Sequence, residues 1–136
     1  MSVLRYLLDF IIKVKRSQGG FLNILVVDDD ELIRESMVPM LEIMGHQAQA
    51  AAGGQEALDL LRGGLEVDVV ILDMNMPGLN GTETLVRIKA DRPGQVVLMA
   101  SGGQEGVTGA LADLPGVHHI LKPFTLRELG QKLAGL

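Results

Sequence analysis

The stretch NILVVDDDELIRESM, residues 23–37, changes character twice. Asn23–Val27 is an aliphatic run without polar alternation, the pattern of a central strand covered on both faces. Asp28, Asp29 and Asp30 interrupt it. From Glu31 the apolar residues return at helical spacing, with Ile33, Met37, Met40, Leu41 and Met44 on one face of a helix over about 31–44. Pro39 falls inside that helix and should kink it or shift its start, and Gly45 closes it. A buried strand leading through an acidic loop into an amphipathic helix is the start of a βα unit.

The same alternation repeats outward from this stretch. Gln47–Ala52 is a weaker strand whose small polar composition suits a sheet edge, and Gln55–Arg62 is a short helix stopped by Gly63 and Gly64. Asp68–Leu72 (DVVIL) reads as a second fully buried strand, followed by a helix over 82–90. Gln95–Ala100 (QVVLMA) and Val117–Leu121 supply two more strands. Thr125–Leu133 is the closing helix, opened by a capping box of Thr125 and Glu128, with Leu126, Leu129 and Leu133 directed inward. Between the last two strands, Gly102, Gly103, Gly106 and Gly109 crowd a short helix, each costing about 1 kcal/mol relative to alanine. This should be the loosest helix.

At 136 residues the chain is long enough for one domain with a substantial core. Aromatic residues make up only 3%, so that core must be built from Leu, Ile, Val, Met and Ala. The absence of cysteine excludes disulfides, thiolate metal sites and cysteine nucleophiles, and fits a cytoplasmic setting. The net charge is −5; residues 1–20 carry Arg5, Lys13, Lys15 and Arg16 against Asp9 alone, a balance of +3 that leaves −8 for the remainder. An acidic body argues against direct nucleic-acid binding and is compatible with a cation site. Residues 2–16 read as an amphipathic helix, with Ser17–Gly20 as a connector. Arg5, Asp9 and Lys13 interrupt its apolar run well short of the ~20 residues a membrane span needs, and the basic cluster follows the apolar run, whereas in a signal peptide it precedes.

In an open parallel sheet, ligands bind beyond the carboxyl ends of the strands. Asp28–Asp30 follow the first strand, Asp73 the third, Ser101 the fourth, and Lys122 with Pro123 the fifth. Clustered carboxylates raise one another's pKa unless a cation neutralises them. Oxygen donors with room for water suit Mg²⁺. Lys122 offers a positive charge to an anion and Ser101 a hydroxyl. Together these are the parts for phosphoryl transfer to a carboxylate.

The motifs ILVVDDDELIR, GGQEAL, VVILDMNMPGLNG, VVLMASGG and LKPFTLREL, in this order, resemble the receiver domains of two-component response regulators from Phe21 to Leu136. The resemblance implies that Asp73 is the phospho-acceptor, that Asp29 is a direct Mg²⁺ ligand and that Asp28 acts largely through metal-bound water. It implies further that the main-chain carbonyl of Asn75 completes the protein ligands, that Ser101 and Lys122 bind phosphoryl oxygens, and that the Lys122–Pro123 bond is cis. Two positions depart from the family pattern. His119 stands where the family commonly has an aromatic switch residue, and Gly103, two past Ser101, has no side chain to steer an attacking water.

The expected fold is α/β: a doubly wound five-stranded parallel sheet, (βα)5 and flavodoxin-like, with strand order 2-1-3-4-5 and an extra N-terminal amphipathic helix. Residues 1–20 form the helix and connector, and residues 21–136 the receiver domain. The expected function is a phosphorylation-dependent switch rather than a conventional enzyme. A sensor histidine kinase or a histidine phosphotransfer protein donates phosphoryl to Asp73. The change is then relayed to a downstream protein target through the glycine-rich helix, the last strand and the closing helix. Alternatives are a receiver-like interaction module that is never phosphorylated, marked by loss of an acidic, hydroxyl or lysine position that is here retained, and a Mg²⁺-dependent phosphatase, which would want a second acid where Asn75 stands. The N-terminal helix is read first as an interaction helix, on this domain or in a homodimer, then as a linker, then as a membrane-surface helix. Adjacent His118 and His119 point to opposite strand faces, cannot readily share a metal, and read as solvent-facing. His46 reads as a cap or a solvated residue.

Overall fold

The computed structural model describes residues 2–7, 20–102 and 113–136. Five parallel strands, β1 (Asn23–Val27), β2 (Gln47–Ala51), β3 (Val69–Asp73), β4 (Val96–Ser101) and β5 (Val117–Leu121), form one sheet in the order β2-β1-β3-β4-β5. Among the described residues four helices flank it: α1 (Glu31–Ile43), α2 (Gly54–Arg62), α3 (Gly81–Asp91) and α4 (Leu126–Ala134). The expected doubly wound fold is the observed one. The glycine-rich helix expected between β4 and β5 falls largely on residues outside the described set, as does most of the N-terminal helix.

Strand alternation sorts the core into two layers. Ile24, Val26, Val69, Ile71, Leu98 and Ile120 point toward α1 and α4, meeting Met37, Leu41, Leu129 and Leu133. Leu25, Val27, Val70, Leu72, Val97 and Met99 point the other way, onto Leu58 and Leu61 of α2 and Leu85 and Ile88 of α3. Because both faces of β1, β3 and β4 are covered, these strands lack polar alternation. β2 pairs only with β1, and its Gln47 and Gln49 are exposed, as an edge requires.

Several expected boundaries shift by a residue for identifiable reasons. Asp68 stays outside β3, because its carboxylate accepts the Asn23 N–H at 2.6 Å and joins the start of β1 to the approach to β3. Gln95 stays outside β4 because its N–H closes a turn onto the Arg92 carbonyl. The other ends of these strands extend to include Asp73 and Ser101. α1 runs unbroken through Pro39; Pro39 and Glu35, whose carbonyl loses its helical donor, are both exposed, on the side where such a loss is least costly. α1 ends in a Schellman motif: Gly45 has φ +96°, its N–H reaches the Glu42 carbonyl, and the His46 N–H reaches that of Leu41. The Thr125–Glu128 capping box is present as expected. Leu126 is a correction. It lies on the first turn of α4 and is 50% exposed, while Leu129 and Leu133 are buried.

Residues 3–7 are helical, and residues 2–7 are exposed, so this part of the N-terminal helix does not pack into the domain. His46 caps α1 through its backbone N–H, as expected, but its side chain is not solvated: Nδ1 accepts the Leu22 N–H at 3.1 Å, with Phe21 beside the ring. It holds the chain where it enters β1. Burial lowers the His46 pKa from the ordinary 6.5. Below that value the unfolded chain binds a proton that the folded one resists, so stability linked to His46 is full above about 6.5 and declines as pH falls. The wild-type melting temperature should therefore drop more steeply between about pH 7.5 and 5.5 than that of His46→Asn, which keeps an acceptor but cannot titrate; equal slopes would show that His46 does not contribute.

Candidate functional site

The carboxyl ends of β1, β3, β4 and β5 bring together the residues singled out in the sequence. Asp28 follows β1, and its carboxylate is drawn back by the Asp30 N–H, 2.9 Å from Oδ1. Its carbonyl accepts a hydrogen bond from Arg34 Nη1 at 2.8 Å. Asp30 caps α1, accepting the Leu32 N–H, so one acid of the triplet is structural. Asp73 ends β3 and its Oδ1 accepts the Asn75 N–H at 3.3 Å. Asp28 and Asp73 are almost fully buried, 4% and 6% exposed, whereas Asp29 is open to solvent.

Lys122 spans the two buried acids. Its ammonium lies 2.9 Å from Asp73 Oδ1 and 3.3 Å from Asp28 Oδ2. Its backbone N–H is bound to the Ser101 carbonyl at 2.7 Å, and the cis Lys122–Pro123 bond lies directly beyond. Burial works against the ammonium, but contact with Asp73 and Asp28 outweighs it and holds the Lys122 pKa above the ordinary lysine value. Asp28 is shifted upward: burial raises its pKa and nearby Asp73 adds to this, while the Asp30 N–H and Lys122 counter it. One ammonium thus faces two buried carboxylates, with Asp29 beside them.

Asp28, Asp29 and Asp73 each place a carboxylate oxygen within 4.8 Å of the others, an all-oxygen set suited to a hard divalent cation. Asn75 is exposed in the loop after Asp73. Ser101 is buried at the end of β4, one residue beyond Ala100, the register partner of Asp73. His119 is a correction to the solvent-facing reading. Both histidines are half-buried, and His119 Nε2 is buried without a hydrogen-bond partner among the described residues.

Two contributors were missed in the sequence. Arg34 anchors the acidic loop from the first turn of α1. Gly81, the first residue of α3, lies so close behind the acceptor strand that a Cβ there would sit 2.5 Å from the Asp73 carbonyl oxygen and 2.6 Å from Met74 Cα. The glycine opening a helix in LNGTE was its only signal. Gly81→Ala should cost about 1–3 kcal/mol in urea unfolding, because the obstacle is backbone. Lys122→Met removes the only cation paired with the two buried carboxylates among the described residues. With no divalent ion present it should cost roughly 3 kcal/mol, the low end for a broken buried pair, since Lys122 is partly exposed. An unchanged urea midpoint would refute that estimate of the pair.

Residues 24–134 match the family described as the response regulator receiver domain. The chain is 33% identical over 115 residues to response regulator RR06 of Streptococcus pneumoniae, covering 85% of this chain and 52% of that protein. It is 36% identical over 118 residues to a chemotaxis protein CheY homolog of Campylobacter jejuni, covering 82% of this chain and 89% of that one. It spans about half the length of RR06 and of the similar MprA regulators. Among solved structures, response regulator TrrA of Thermotoga maritima, in complex with Mg²⁺-BeF, superposes with a TM-score of 0.74 at 29% identity, covering 83% of this chain and 96% of that one. An order-2-1-3-4-5 parallel sheet carrying an acidic cluster and a lysine at its carboxyl edge, matched over nearly its whole extent, makes this chain a member of the response regulator receiver domain family of two-component systems.

Proposed function

We propose that Asp73 accepts a phosphoryl group in a Mg²⁺-dependent reaction, and that the chain works as a switch rather than a conventional enzyme. The observation that carries this reading is the position of the Lys122 ammonium between Asp73 Oδ1 and Asp28 Oδ2. Asp28, Asp29, Asp73 and the Asn75 carbonyl would hold the ion. When bound, Mg²⁺ supplies positive charge that offsets the surplus of carboxylates and the incoming phosphoryl oxygens. The Mg²⁺-BeF bound by the Thermotoga relative supports that assignment for a family member.

In the transfer, an Asp73 carboxylate oxygen forms a bond to phosphorus as the P–N bond of a donor phosphohistidine breaks, and the imidazole leaves with the electron pair of that bond. Lys122 is already beside Asp73 and exchanges a carboxylate for phosphoryl oxygens, while the Ser101 hydroxyl provides a second contact. The donor is a sensor histidine kinase or a histidine phosphotransfer protein. The change propagates from Ser101 along β5, through His119, to the surface made by β5 and α4, where Leu121 and Leu126 lie exposed for a downstream protein. Residues 21–136 constitute this receiver, residues 1–20 are an appendage, and the setting is cytoplasmic. No helix among the described residues is long and apolar enough to cross a membrane.

Incubation with acetyl phosphate should add one phosphoryl group to the intact protein by mass, only with Mg²⁺, and not to Asp73→Asn. Lys122→Met should retain the acceptor and slow incorporation by roughly 10²–10³-fold. Labelling that persists in Asp73→Asn would refute the assigned acceptor. A folded wild type that binds Mg²⁺ but neither takes up phosphoryl nor binds BeF would point to an unphosphorylated interaction module.

A further inference from the structure

The N-terminal segment presents an apolar surface that the domain does not cover. Val3, Leu4, Tyr6 and Leu7 are between 48% and 75% exposed. The sequence continues the pattern with Leu8, Phe10, Ile11, Ile12 and Val14, while Ser2, Arg5, Asp9, Lys13 and Arg16 recur at helical spacing as one polar stripe. A sequence whose apolar residues, spaced as on a helix, would form so wide an arc calls for a covering surface.

Such a surface lies beside the acidic site. A cleft of about 490 Å³ opens between α1 and the loop that joins β5 to α4, lined chiefly by Leu32, Ile33, Met37, Met40, Ile71 and Phe124. Leu32 on its rim is 74% exposed. Methionines let such a wall adapt to an aliphatic occupant. Asp28 and Asp73 line one end together with Lys122, which contacts both, and Glu31 and Glu35 are exposed on the bordering helix. The charges match: residues 1–20 carry +3 and the rest of the chain −8.

We propose that the apolar face of the N-terminal segment of one copy seats in this cleft of a second copy, reciprocally, forming a two-fold dimer. The chain joins the domain at Phe21, at the amino end of β1, whereas the cleft is reached past Val26 and Val27 at its carboxyl end. Its own segment would have to fold back along the whole strand, a constraint a second copy does not have. Pairing of two N-terminal helices with each other is disfavoured, because it sets +3 against +3 on a seam shorter than the three to four heptads a coiled coil sustains. Because Asp28 and Asp73 line the same cleft, a seated segment also covers the acidic site from one side.

The test uses the full chain and needs no phosphoryl chemistry, so it stands or falls apart from the proposed function. Sedimentation equilibrium should give a dimer for wild type and for Asp73→Asn. The variants L4E/L7E and L32E alter exposed residues only and should be monomeric, with unchanged circular dichroism and urea midpoints. The cysteine-free background allows a direct check: mixed L4C and S36C variants should give one hetero-linked product with a short bis-maleimide. A monomeric wild type overturns the proposal. A dimer lost in L4E/L7E but kept in L32E overturns it in favour of helix pairing. A monomer that binds phosphatidylserine vesicles through the same leucines overturns it in favour of a lipid surface.

Discussion

Two carboxylates buried beside a single ammonium are the constraint on which the rest of the molecule depends. Asp28 and Asp73 are drawn from water at the ends of adjacent strands, and Lys122 reaches both from a third. Backbone donors from Asp30 and Asn75 each satisfy one oxygen, but they carry no full charge. With Asp29 alongside, negative charge exceeds positive. That surplus of oxygen donors suits a hard divalent cation. Its chemistry follows from that incomplete neutralisation.

Only a rigid frame can hold such an arrangement against its own repulsion. β1 and β3 are adjacent and parallel, so Asp28 and Asp73 emerge at the same level with little freedom to separate. Behind Asp73, the close approach of Gly81 fixes the loop between β3 and α3. In front, Arg34 and the Asp30 cap fix the loop between β1 and α1. Each acid is positioned by one strand and one helix start, which limits its rearrangement when a neighbouring charge changes.

The opposite end of the sheet also gathers polar side chains, but with a different outcome. Lys89 donates to the carbonyls of Gln95, Pro115 and Pro93, and burial lowers its pKa. Arg92 donates to the Leu61 carbonyl, the buried Gln95 amide to those of Val67, Asp68 and Val96, and Asp68 accepts from Asn23. These groups are occupied by the backbone and close the turns that lead into the strands. At the carboxyl end the side chains face one another instead. Which partners a polar group finds, more than its burial, separates the structural end from the reactive one.

The buried strands, the acidic triplet, Asp73, Ser101 and Lys122 were legible in the sequence because each depends on local pattern: uninterrupted aliphatic runs and the residue that ends them. The Thr125–Glu128 cap and the edge character of β2 were legible for the same reason. What the sequence left open depends on through-space neighbours. Leu126 matches its helix's apolar periodicity yet is half exposed, while Leu129 and Leu133 one and two turns on are buried. His46 looked like a surface residue, and Asp68 like the first residue of a buried strand, until Leu22 and Asn23, distant in sequence, were brought against them. Gly81 was one glycine among many until the Asp73 carbonyl lay behind it. Composition and order thus determined the fold and the chemical parts of the site. Tertiary packing alone decided that one lysine serves two acids, since hydrogen bonds and charge contacts between strand ends act through distances that no local spacing encodes.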